Sequence, residues 1–193
     1  MDRLNRLYME MIQYYQGSPK QIQHLAKVHS FSRLIGQKEE LDEKTLYTLE
    51  AAALVHDIGI KPGMERYGRS DGKIQEKLGP AAAERMLGDL GFEKDVSERV
   101  SYLVGHHHTY ENIDGIDYQI LVEADFLVNY FEDDISADHI RNSMQKIFKT
   151  ETGKKIAEEM FFPKPFEKSE TWAQDALQDL EDFIEEQGVY IRQ

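Results

Sequence analysis

Apolar residues recur along most of this chain at intervals of three and four, and that spacing predicts helices, each with one buried stripe. The first such segment runs from Arg3 to Gln16 and breaks at Gly17-Ser18-Pro19. From Lys20 to Gly36 the residues Leu25, Val28, Phe31, Ser32 and Ile35 keep helical spacing, and Gly36 suits a C-cap. Asp42 reads as the N-cap of a helix through Leu46, Leu49, Ala52, Ala53 and His56. Between Gly59 and Gly79 the period weakens and Gly, Lys and Arg accumulate, which predicts a long loop with room for a helical turn.

Pro80 suits the first turn of a helix spanning Ala81 to Leu90 and stopped by Gly91. A helix from Asp95 to about His107 carries Val96, Val100, Leu103 and Val104 on one face. Glu111 to Asp117 is a turn-rich connector, and Tyr118 to Glu132 is another striped helix. Ser136 to Lys149 and Trp172 to Gln187 are amphipathic, separated by a bend at Phe162-Pro163-Lys164-Pro165. No run alternates with the strand period, and neither a repeat nor a low-complexity linker occurs. The expected fold is all-α: a single-domain helical bundle over residues 1–193.

Composition narrows the chemistry. A chain of 193 residues can bury a real core. With no cysteine, disulfides, thiolate metal sites and cysteine nucleophiles are excluded. The net charge of −13 argues against nucleic acid as a partner, because neutralising phosphates needs a basic surface. Much of the acidity is a solubility feature; Asp175 to Glu186 carries six acids and no base. No apolar run approaches the ~20 residues of a membrane span, and the N-terminus lacks the apolar core of a secretory signal. A cytoplasmic protein with no membrane partner is expected, and a homo-oligomer is allowed.

Against this background, several polar residues occupy apolar stripes. His24 shares a face with Val28, Phe31 and Ile35, and His56 follows Ala52 and Leu49 on theirs. Asp125 sits among Leu121, Val122 and Val128, where an unpaired carboxylate is costly. His107 lies on the face of Val100, Leu103 and Val104. Each has an ordinary explanation alone: a hydrogen-bonded core histidine, a helix-end hydrogen bond for Asp57, a buried arginine pair for Asp125. Several inward histidines and two inward aspartates from separate helices point instead to a shared cation. The adjacent imidazole and carboxylate of His56-Asp57 are suited to hold it.

The ordered set His24-x-x-x-Val28, His56-Asp57-Ile58-Gly59, His106-His107-His108 and Ala124-Asp125 resembles the HD-domain superfamily of metal-dependent phosphohydrolases. The resemblance covers a core of about residues 20–131, with C-terminal helices of 136–187 packed on it. It implies an all-helical bundle in which His24, His56, Asp57 and Asp125 are the core metal ligands. Many binuclear relatives carry another histidine at the helix start that here reads Leu78-Gly79, with Glu76 the nearest oxygen ligand. One ion is therefore expected. His106 and His107 are candidates for holding a second ion or for contacting substrate phosphate.

Mixed nitrogen and oxygen ligation suits Mn, Fe, Co, Ni or Zn better than Ca or Mg. A small phosphorylated substrate, with nucleotides the leading class, would be attacked by water activated at the metal. Asp57 and Lys61 are the expected catalytic residues. Lys61, Arg66, Arg69 and Lys73 would clamp phosphate oxygens, and Glu65 is a candidate acid or base. The competing readings are a di-iron oxygenase of the same fold and a non-enzymatic nucleotide-binding regulatory module.

Overall fold

Residues 3–163, 177, 178 and 180–184 are described in a computed structural model of the chain. In order, the helices are α1 (Arg3–Tyr14), α2 (Pro19–Lys38), α3 (Glu43–Val55), α4 (Ile60–Tyr67), α5 (Gly72–Asp89), α6 (Lys94–Val104), α7 (Ile116–Glu132), α8 (Ala137–Ile147) and α9 (Glu151–Phe161). No strand occurs among the described residues. The all-α fold predicted from the hydrophobic period is the fold observed.

Helices α3 and α7 form the centre because they are apolar around most of their circumference. Every residue from Thr48 to Val55 is buried, and so is nearly all of α7 from Asp117 to Val128. The small side chains of Ala51, Ala52 and Ala53 let α2, α6 and α7 all pack against α3. Asp42 caps α3 as predicted, accepting from the Lys44 and Thr45 amides at 3.0 Å. Helix α5 lies on α6, α1 on α3, and α9 on α7 and α2.

The structure corrects several sequence expectations. Gly36 is no C-cap: α2 continues to Lys38, and Gly36 is buried where α2 crosses α3. A Cβ there would stand 2.8 Å from Leu46 Cδ1, so the glycine serves close packing. Residues 59–79 are not a loop. They form α4 and the first half of α5, whose N-cap is Asp71. The apolar period is weak there because neighbours pack directly on glycine backbone, where no side chain marks the contact. A Cβ at Gly59 would meet the Gln75 carbonyl oxygen at 2.6 Å, and one at Gly79 would meet Val104 Cγ1 at 2.6 Å. Pro80 consequently sits inside α5 and interrupts its hydrogen bonds.

Helix α9 was missed by periodicity. It is short, and what starts it is polar: the Thr150 hydroxyl accepts from the Gly153 amide at 2.9 Å. Residues 163–193 form a second unit, of which 177, 178 and 180–184 are helical. The rest of the predicted helix Trp172 to Gln187, and Lys164-Pro165 of the predicted bend, lie outside the described residues.

Candidate metal centre

Helix α3 ends at the His-Asp pair. His56 is its C-cap and keeps right-handed helical dihedrals, after which Asp57-Ile58-Gly59 turn into α4. Helix α1 and its C-terminal turn hold this turn: the Tyr15 hydroxyl donates to the Asp57 carbonyl at 2.8 Å, and Tyr14 donates to the Ile58 carbonyl at 3.3 Å. Asp125 enters from the middle of α7 and His24 from the second turn of α2. His107 comes from the turn after α6, which stops at Val104, three residues before the predicted end.

Five buried side chains converge here. His24 Nε2 lies 3.2 Å from Asp125 Oδ1 and 3.6 Å from Asp57 Oδ2. His56 Nε2 lies 3.6 Å from Asp125 Oδ1 and 3.8 Å from Asp57 Oδ1. His107 Nε2 approaches Asp57 Oδ1 at 3.4 Å, and the Nε2 atoms of His24 and His56 are 3.3 Å apart. Two groups of donor atoms, each within 4.8 Å of one another, result: His24, His56 and Asp57, and then Asp57, His107 and His108.

The donor set fits a divalent cation, as the outward-facing nitrogens make clear. His56 Nδ1 donates to the Ala53 carbonyl at 2.9 Å, and His107 Nδ1 donates to the Val104 carbonyl at 3.0 Å. A carbonyl only accepts, so each Nδ1 carries the proton and each Nε2 is left with a lone pair aimed inward. His24 Nδ1 faces Glu132 Oε2 at 3.0 Å, the same arrangement with a carboxylate as acceptor. His107 Nε2 has no hydrogen-bond partner although it is fully buried. Inward lone pairs crowded around two carboxylates need a positive charge among them.

Without a cation, protons supply that charge. Burial opposes charging His24, but the Asp125 hydrogen bond and the Asp57 and Asp125 charges outweigh it and raise its pKa to about 9. His56 is raised in the same way, against its burial, mainly by the charge of Asp57. Burial pushes Asp57 up, yet the His56 charge and the His107 ring, 3.4 Å away, hold it well below the usual carboxylate range. Asp125 is likewise held low, by hydrogen bonds from His24 and His56 that overcome burial. His108 is lowered to about 4 by burial and by the His107 charge, so it is neutral at pH 7.

A second layer of residues surrounds the centre, all of it but Glu76 unnoticed in the sequence. Gln21 Nε2 donates to Asp57 Oδ2 at 2.8 Å, and Asn129 Nδ2 donates to Asp125 Oδ1 at 2.9 Å. Lys27 pairs with Glu132 at 2.6 Å. Their spacing was the available signal: Gln21, His24 and Lys27 share one face of α2, and Asp125, Asn129 and Glu132 share one face of α7. Glu76 Oε1 accepts from the His108 amide at 3.2 Å and the Thr109 hydroxyl at 2.9 Å, tying α5 to the histidine turn.

Other candidates lie elsewhere. His106 is not brought to the group; its Nδ1 donates to the Tyr102 carbonyl at 2.7 Å and its ring stacks on Tyr102. Lys61 bonds the Tyr14 carbonyl at 3.2 Å and lies over the Tyr14 ring. Arg69 is exposed and pairs with Asp71 at 3.6 Å. Lys73 is exposed on the first turn of α5, next to Gly72, which packs against the His108 ring. Arg66 and Glu65 line a cleft of about 680 Å³ between α1, α4 and α5, together with Lys77 and Arg85. None of the converging histidines or aspartates lines that cleft.

Residues 22–187 match the family model described as HD domain. A crystal structure of a predicted HD superfamily hydrolase from an uncultured Thermotogales bacterium is similar at 25% identity and a TM-score of 0.56, covering 95% of this chain and 90% of that one. YpgQ of Bacillus subtilis is similar at 16% identity and a TM-score of 0.57, covering 94% and 95%, a likeness of fold alone. Among curated proteins there is no match.

Proposed function

This chain belongs to the HD-domain family, and from that premise we propose that it is a metal-dependent hydrolase cleaving a phosphate ester or anhydride of a small molecule, with nucleotides the first class to test. One observation carries the reading: imidazole Nε2 atoms from three elements and the carboxylates of Asp57 and Asp125 meet in a buried cluster with their Nδ1 atoms all bonded outward. His24, His56, Asp57 and Asp125 would hold a divalent transition metal. When bound, the cation supplies Lewis acidity, lowering the pKa of water from 15.7 to about 7 in favourable cases.

The chain's own groups do the rest. Gln21 holds Asp57 Oδ2 and leaves Oδ1 toward His56 and His107, while Asn129 holds Asp125 Oδ1, the oxygen that faces His24 and His56, so both carboxylates are oriented. Asp57 Oδ1 accepts a hydrogen bond from the attacking water and aims it. Lys73, bordering the His108 turn, offers a cation to phosphate oxygens. Lys61 joins it by swinging off the Tyr14 carbonyl, and Arg66 and Arg69 complete the basic rim of α4 and the turn after it. Neutral His108 is available to exchange a proton with substrate.

Purified protein supplied with Mn2+, Co2+ or Ni2+ is expected to turn over a member of a panel of phosphomonoesters, nucleotides and dinucleotides. Asp57→Ala is expected to abolish that turnover, and an unchanged rate in this variant would reject the site. A second reading, an iron-dependent oxygenase, draws on Asp57 belonging to both donor groups. It requires activity that depends on iron and dioxygen together, which anaerobic assays separate from hydrolysis.

A further inference from the structure

We propose that Glu132, clamped by Lys27, is a positioning residue that fixes His24 with Nε2 directed into the metal centre. The inference rests on reading that centre as a cation site, and it assigns Glu132 a role that the ligand set alone does not.

The place of each histidine in its element decides where its Nδ1–H finds an acceptor. His56 is a C-cap and His107 lies in a turn, so each finds an acceptor three residues back in its own backbone. His24 lies inside α2, which runs from Pro19 to Lys38, and there the preceding carbonyls are used by the helix itself. Its Nδ1–H needs an acceptor from another helix. Glu132, the last residue of α7, supplies one: Oε2 stands 3.0 Å from His24 Nδ1.

Glu132 is placed against local preference. A carboxylate at a helix C-terminus meets the negative end of the helix dipole, and this one is largely buried, its side chain 11% exposed. Lys27 offsets both disadvantages, its Nζ standing 2.6 Å from Oε1. The carboxylate is thus bound at both oxygens and cannot rotate away from His24. Helix periodicity makes the clamp possible, since His24 and Lys27 are one turn apart on α2. Carboxylate–histidine pairing of this kind sets ring orientation and increases the basicity of the nitrogen offered to a metal.

The test is Co2+ binding by wild type and Glu132→Gln, followed by titration calorimetry and by the visible absorption of the bound ion. Glu132→Gln is expected to bind Co2+ some 10- to 100-fold more weakly, with a shifted absorption band, while its far-UV circular dichroism matches wild type. Equal affinity and identical spectra in the two proteins would overturn this inference and leave the cation-site reading standing. A wild type that takes up no Co2+ would overturn both. Should Glu132→Gln fail to fold, nitrogen-15 histidine spectra of Zn2+-treated wild type decide the matter. A protected, low-field Nδ1 proton on His24 supports the clamp, and a proton on Nε2 refutes it.

Discussion

Replacing Gly59 with alanine tests whether the His-Asp turn is held by backbone contact with α5. Gly59 has φ −69° and ψ −17°, dihedrals alanine adopts freely, so any cost is steric. The added Cβ would lie 2.6 Å from the Gln75 carbonyl oxygen and 2.8 Å from its Cα. Ordinary contact begins near 3.4 Å, so the two segments must separate by about 0.6–0.8 Å. Neither partner is a flexible side-chain end: one is the turn that Tyr14 and Tyr15 hold, the other the body of α5. Overpacking of this kind costs about 1–3 kcal/mol, or roughly 3–10 °C in Tm for a domain of this size. Gly88→Ala is the opposite case. It sits on α5 with nothing within 4 Å, and the exchange should stabilise by about 0.5–1 kcal/mol through helix propensity. Differential scanning calorimetry measures both. A Gly59→Ala protein as stable as wild type would refute the backbone-contact argument, and with it the explanation of the glycine-rich stretch.

Two further predictions concern charge. His24 is raised to about 9 in the fold from an ordinary value of 6.5, so its protonation stabilises the metal-free protein fully below pH 6.5 and ceases to do so as pH rises through 9. The contribution is on the order of 3 kcal/mol; Tm in chelator should fall across that window, His24→Gln should flatten the fall, and a flat wild-type profile would contradict the assignment. Glu123, fully buried on α7, accepts from the Gln119 amide at 2.7 Å, the Lys149 and Thr150 backbone amides at 2.6 and 3.0 Å, and the Thr150 hydroxyl. Glu123→Ala strands these donors and should cost about 3 kcal/mol in urea unfolding while leaving Co2+ affinity unchanged, because Glu123 touches none of the converging histidines or aspartates.

The hydrophobic period revealed α1, α2, α3, α6 and α7 because each buries side chains on a stripe, and stripes are what a linear pattern records. It failed between Gly59 and Gly79 for a physical reason. There neighbours pack directly on bare glycine backbone, the Gln75 backbone on Gly59, Ile74 and the Arg69 carbonyl on Gly63, and the Val104 side chain on Gly79, and a glycine contact leaves no apolar residue to count. The same accounting explains Gly36, which looked like a helix end and proved to be a crossing point. Helix α9 escaped notice because its start is specified by a threonine cap and by Glu123 across the core.

The inner site was visible for the complementary reason. A histidine or aspartate on an apolar stripe violates the pattern, and His24, His56, His107 and Asp125 each did so. The residues that orient them violated nothing. Gln21, Lys27, Asn129 and Glu132 occupy half-buried positions where polar side chains are ordinary, and their identity matters only once α2 and α7 are known to be neighbours. That adjacency is a long-range fact, which no local period encodes. It follows that mutations in this outer layer should separate from core mutations in kind. Truncating Leu25 or Leu121 removes fully buried apolar surface and lowers stability. Changing Glu132 or Asn129 alters how a neighbouring ligand candidate is aimed, and its signature belongs in metal affinity before it belongs in Tm.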